Sequence, residues 1–226
     1  MRAAVLVFPG TTGEGAMYQA LRDVLAVEAE LVWYEASDLS GYDAIFLPGG
    51  ASYGDYLRPG ALASRTPVMA EVKKAAEAGK PVVGVGNGFQ ILLEAGLLPG
   101  AVLKNESLLF HSATVELEVV SNQTMFTKEY TLGERIFLPV AHGYGYYYCD
   151  QATLAKLEAN QQIVFRYREN VNGSVAGIAG LVNQEGNVLG MMPHPERAVA
   201  ELLGSTDGKK LFTSILANWR EKHAHV

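Results

Sequence analysis

The stretch Pro81-Val82-Val83-Gly84-Val85-Gly86-Asn87-Gly88-Phe89-Gln90 decides the reading of the fold. Its first half, 81–85, is short, apolar and β-branched, the pattern of a buried strand. It passes at once into a helix that begins near Asn87 and runs to Ala95-Gly96. Glycines 84 and 88 stand two residues to either side of position 86. This is the layout of a strand-to-helix elbow, G-x-nucleophile-x-G, in which crowding inside the sharp turn requires small neighbours. Such an elbow aims its central side chain into a pocket beside a helix N-terminus, whose free N–H groups favour developing negative charge. The centre should be Cys or Ser, and here it is Gly86. Read by itself, the stretch is equally a plain glycine-rich turn; its spacing matches neither G-x-G-x-x-G nor the P-loop pattern.

The flanking sequence repeats the same step. Segments 3–8, 30–34 and 44–47 are short apolar strands, and the last ends abruptly at Pro48-Gly49-Gly50. Met17, Leu21, Val24 and Leu25 share one helical face. Thr66-Pro67 predicts a helix start, with the threonine capping free N–H groups, and the helix continues through Met69, Val72 and Ala76 to Gly79. Strands that are apolar on both faces and alternate with helices predict a mainly parallel sheet covered on two sides, a three-layer α/β sandwich. The second half changes character. Segments 113–120, 136–139, 163–167, 178–182 and 188–192 read as strands with few helices between them, adding antiparallel strands to the sheet. Asn183-Gln184-Glu185-Gly186-Asn187 reads as a hairpin loop. Leu211, Phe212, Ile215, Leu216 and Trp219 mark a final helix. With no repeat, linker or low-complexity tract, residues 1–226 are expected to form a single domain.

Composition narrows the class. The 226 residues carry 18 basic and 24 acidic side chains, a net charge of −6, with 49% hydrophobic and 19% charged residues. No basic stripe exists to neutralise phosphates, which argues against a nucleic-acid partner. No apolar run approaches the roughly 18 residues of a membrane span. The opening apolar run ends at Pro9-Gly10, a turn rather than a cleavage site. The lone Cys149 cannot form an intrachain disulfide, which fits a reducing cytoplasm. Removed from any elbow, it reads as a structural thiol. His223 and His225 alternate in the C-terminal tail, a weak metal pattern that a solvated tail explains as well. His111 reads as a packing or pocket-rim residue, and His142 either lines a site or caps a strand. Tyr144, Tyr146, Tyr147 and Tyr148 suit either a partner surface or a half-buried strand.

Two further segments lie at predicted strand ends, where open α/β sheets place their sites. In Pro193-His194-Pro195-Glu196-Arg197, a histidine followed two residues later by a carboxylate can form a general base with its orienting partner. A merely structural proline-rich turn is the alternative. In Pro48-Gly49-Gly50-Ala51-Ser52-Tyr53-Gly54-Asp55-Tyr56-Leu57-Arg58, paired glycines let backbone N–H groups approach a ligand, as an oxyanion hole requires, or simply make a tight turn.

The three segments in this order resemble the signature of class I glutamine amidotransferases. The runs LPGGASYGDYLRPGALA, GNGFQILLEAGLLPGA, NGSVAGIAG, EGNVLGMMPHPERAV and ELLGSTDGKKLF are similar to the glutaminase subunit of phosphoribosylformylglycinamidine synthase over essentially the whole chain. The resemblance implies a nucleophile position at Gly86, a base at His194 and an orienting carboxylate at Glu196. It implies an oxyanion hole from the N–H groups of Gly50 and Asn87, with Gly49 and Gln90 at the substrate. It further implies L-glutamine as substrate, hydrolysed to glutamate and ammonia for a separate synthetase subunit, and a small third subunit in the same complex. No cofactor or metal is expected in this chain, ATP and Mg²⁺ belonging to the synthetase.

Several positions depart from the family pattern besides Gly86. Phe8-Pro9-Gly10-Thr11-Thr12-Gly13-Glu14 stands where FPGSNCD is usual, and Phe110-His111-Ser112-Ala113-Thr114-Val115 has lost a cysteine and a basic residue. His142-Gly143-Tyr144-Gly145 replaces HGEG. Glycine closes the covalent route, since it offers no side chain to attack an amide. The expected function is therefore that of a glutaminase subunit impaired at its nucleophile. The alternative is a non-catalytic scaffold that binds the synthetase without hydrolysing glutamine.

Overall fold

The computed structural model describes residues 1–224. Its main strands are β1 (Arg2–Val7), β2 (Glu28–Trp33), β3 (Ala44–Leu47) and β4 (Val82–Val85) in the first half of the chain. The short β5 (Ala101–Leu103) is followed by β6 (His111–Val119), β7 (Arg135–His142) and β8 (Tyr146–Tyr148). The last three are β9 (Ile163–Tyr167), β10 (Ile178–Val182) and β11 (Val188–Met191). Nine of them form one sheet in the order β2-β1-β3-β4-β11-β10-β9-β6-β7, and β5 pairs with β8 in a separate ribbon. From β2 to β11 every pairing is parallel, and from β11 to β7 every pairing is antiparallel. The antiparallel half is thus as large as the parallel half.

Period-two alternation explains the three layers. Ala3, Val5, Phe46, Val83 and Val85 face one side, where they meet Met17 and Leu21. Met17 sits on α1 (Glu14–Gln19), which continues as a wider π-helical turn over Ala20–Val24. Ala4, Leu6, Ile45, Leu47 and Val82 face the other side. There they meet Val68, Met69 and Val72 of α2 (Val68–Glu77) and Phe89, Ile91 and Leu92 of α3 (Asn87–Glu94).

Several local expectations need correction. Thr66 does not cap α2: its hydroxyl donates to the Ala63 carbonyl at 2.7 Å, and the helix starts after Pro67 with no side-chain cap. The strand expected to stop at Pro139 runs on to His142. Proline has no N–H to give, but β7 is an edge strand with no further strand on its outer side, so no ladder bond is lost at Pro139. A helix not foreseen, α4 (Gln151–Ala159), lies between β8 and β9, capped by Asp150, whose Oδ1 accepts from the Thr153 N–H at 2.7 Å. The final helix is as expected: α5 (Lys209–His223) lays Leu211, Phe212 and Ile215 on the sheet face that holds Phe46. The β10–β11 loop is the expected hairpin, with Asn183 Oδ1 accepting from the N–H groups of Asn187 and Val188. Among the described residues no helix is long and apolar enough to cross a membrane. His225 lies outside the described residues.

Candidate active site

Strands β3, β4 and β11 are parallel neighbours, so their carboxyl ends open side by side on one edge of the sheet. Leu47 pairs with Gly84 and Met191 with Val85, which places Pro48-Gly49-Gly50, Gly86 and His194 around a single opening. That opening is a cavity of about 310 Å³ lined by Gly50, Gly86, Asn87, Gln90, His142 and His194, together with Thr12, Asp55, Tyr144 and Arg197. Its volume stands at the lower end of the ~300–1,000 Å³ range of small-molecule sites.

Gly86 has φ 55° and ψ −112° between strand and helix, with its N–H held by the Met191 carbonyl at 2.9 Å. A Cβ built there would lie 3.2 Å from His194 Cε1 and 3.4 Å from Nε2. His194 is buried, its N–H donating to the Pro139 carbonyl at 2.8 Å and its Nδ1 lying 2.7 Å from Glu196 Oε1. An ionised carboxylate can only accept, so with that partner Nδ1 carries the proton and Nε2 presents a lone pair toward position 86. Glu196 is buried behind the histidine, with the Arg197 guanidinium 3.7 Å from its Oε1. Such an arrangement can take a proton from a nucleophile at or near position 86 and stabilise the resulting imidazolium.

Gly49 does not line the cavity; it lies against the ring of His194, where a Cβ would come 2.7 Å from Cε1. Gly50 does line it, with φ 149°, as does Asn87, whose N–H belongs to the first residue of α3 and so to the turn that helices leave without intrahelical partners. The side chains of Asn87 and Gln90 are engaged in a relay. The Ser52 N–H donates to Asn87 Oδ1 at 3.1 Å, Asn87 Nδ2 to Gln90 Oε1 at 2.9 Å, and Gln90 Nε2 to the Tyr144 carbonyl at 2.8 Å. Gln90 therefore reaches the cavity wall while tying α3 to the Tyr144 loop. The Thr12 and Gly13 N–H groups both donate to the Gly49 carbonyl, so the 8–14 loop clamps the glycine pair.

Sequence reasoning missed Asn105. Fully buried, it donates from Nδ2 to the carbonyls of Leu109 and His142 at 2.8 and 2.9 Å. Its Oδ1 faces the Gly145 N–H at 2.9 Å and His142 Nδ1 at 3.0 Å. Because that oxygen only accepts, His142 Nδ1 is the donor. Burial, then unfavourable electrostatics with the neighbouring His111 and His194 rings, push the His142 pKa down to about 4. His142 thus lines the site as a neutral ring. Asp55 also lines the cavity and was not singled out, although the SYGDY run around it was.

The remaining candidates lie apart. His111 pairs across strands with His142, ring centroids 6.3 Å apart, but does not line the cavity. Cys149 is buried in the core layer that holds Tyr147, and burial pushes its thiol pKa up. Tyr147 fills that core and Tyr148 faces outward. His223 stacks on Trp219 at 4.5 Å. Among the described residues, no group of three or more His, Cys, Asp or Glu side chains could hold a metal.

The family model of the CobB/CobQ-like glutamine amidotransferase domain matches residues 1–219. The chain belongs to that family. A chain from the structure of PurLQS from Thermotoga maritima is 48% identical, with a TM-score of 0.89, covering 96% of this chain and 98% of that one. More distant matches share the fold. One is a putative GMP synthase protein from Thermoplasma acidophilum, 17% identical with a TM-score of 0.62 over 99% of this chain and 98% of that one. Another is a glutamine amidotransferase from Thermotoga maritima, 16% identical with a TM-score of 0.62 over 99% and 85%. The α/β amidotransferase fold expected from the three motifs is therefore borne out.

Proposed function

We propose that this chain is the glutaminase-type subunit of phosphoribosylformylglycinamidine synthase, one amidotransferase domain over residues 1–226, with its covalent step disabled at Gly86. The observation that carries the reading is the convergence of His194, paired with buried Glu196, on the vacant elbow position. In the full reaction a thiolate at that position attacks the glutamine side-chain carbonyl. The C–N bond breaks, ammonia leaves with a proton from the histidine, and water hydrolyses the thioester to glutamate. With no side chain at position 86, His194 is left to activate water directly, and the N–H groups of Gly50 and Asn87 receive the oxyanion. Residual rates of that kind fall orders of magnitude below the covalent route.

The near full-length, 48% identical relative solved as PurLQS supports partner subunits for this chain. In this reading a synthetase subunit carries ATP and Mg²⁺, a small third subunit completes the complex, and the whole works in the cytoplasm on L-glutamine. A second reading, a scaffold that docks without hydrolysis, is favoured by Gly86 together with the changed residues at 13, 112, 113 and 144. Glutamate release by this chain and by Gly86→Cys, each with the synthetase partner, separates the two. Activity restored by cysteine supports the glutaminase site; silence in both folded, partner-bound forms leaves the scaffold.

A further inference from the structure

Among the described residues, the Asp55 carboxylate has no hydrogen-bond or salt-bridge partner, although it lines the cavity and its Oδ1 is shut off from solvent. Burial alone pushes its pKa up. A carboxylate half-withdrawn from water without a partner is destabilising, and a ligand cation is what offsets it. The same cavity wall holds one opposite charge, the guanidinium of Arg197, while the His142 ring is neutral. One anion and one cation in a single small cavity match the two charges of a free α-amino acid. We infer that Asp55 is the binding residue for the α-ammonium group of the amino-acid ligand, an assignment that rests on the glutamine-binding reading above. The backbone holds the turn in place: the Tyr53 N–H donates to the Pro9 carbonyl at 2.6 Å and the Gly54 N–H to the Ala51 carbonyl at 2.8 Å, with Asp55 on the cavity wall.

The test is equilibrium binding by calorimetry of the full chain, which keeps Gly86 and so consumes ligand slowly at most. L-glutamine is compared with 4-carbamoylbutanoate, the same molecule without its amino group. The unaltered chain is expected to prefer glutamine, and Asp55→Asn, close to isosteric, is expected to lose about tenfold or more in glutamine affinity. Its affinity for 4-carbamoylbutanoate should hold or rise, and Asp55→Ala should reproduce the same change in preference. Equal losses for both ligands, or unchanged glutamine affinity in the folded variants, would overturn the assignment of Asp55 alone. An unaltered chain that binds neither ligand would overturn the amino-acid site itself, and the assignment with it.

Discussion

A Cβ on Gly86 would lie 3.4 Å from His194 Nε2. A side chain at the elbow and the His194 ring are therefore neighbours in ordinary contact, and only the ring's Cε1, at 3.2 Å, has to give by a few tenths of an ångström. The geometry leaves room for a side chain at position 86 in direct contact with the His194 ring.

Strain and chemistry at position 86 can be separated with Gly86→Ala. Its φ of 55° lies where side chains are disfavoured, so alanine should destabilise the fold by about 1–3 kcal/mol and add no glutaminase activity. Urea denaturation checks it through a lowered midpoint at unchanged slope. A stability equal to that of the glycine form would mean the elbow is relaxed.

In a Gly86→Cys background, Glu196→Gln should lower kcat on the order of 10³–10⁴-fold while leaving KM nearly unchanged. The amide can present its NH₂ to His194 Nδ1 and so favour the wrong tautomer. Steady-state glutamate release decides this, and a loss confined to KM would contradict it.

His142 makes stability fall in acid. Its folded pKa of about 4 lies below the usual value of 6.5, so the unfolded chain takes up this proton first. Its contribution is intact above pH 6.5 and lost as the pH falls toward 4, by at most about 3 kcal/mol. His142→Asn retains a donor for Asn105 and removes the titration. The stability difference between variant and unaltered chain should shift in the variant's favour across that window.

Gly88→Ala should be the most disruptive single methyl group near the elbow. A Cβ there would sit 1.8 Å from the Leu47 carbonyl oxygen, a backbone atom of the adjoining strand. A loss of at least about 3 kcal/mol, or failure to fold, is expected, read by circular dichroism and denaturation.

Much of this was legible in the sequence because it depends on local pattern. The buried strands around residues 3–8, 44–47 and 82–85 show as continuous apolar runs, and the elbow shows as spaced glycines. Helix α4 left little trace because only Leu157 of its residues is buried, so no apolar stripe marks it. The end of β7 was hidden by Pro139, whose cost depends on an edge position that sequence does not display. Asn105 and His142 are 37 residues apart and meet only through the folded ribbon and sheet, and Asp55 stands out by a partner it lacks. Neither kind of fact has a local signature.

The position of β11 also governs the order in which the molecule can be completed. It is the one strand joining the parallel half to the antiparallel half, yet it is made late, more than a hundred residues after β4. Until it emerges from the ribosome, β4 presents an apolar edge with open N–H and C=O groups, and His194 and Glu196 do not yet exist as chain. Sheet closure and site assembly are consequently one event, with a long interval of vulnerability to mispairing before it.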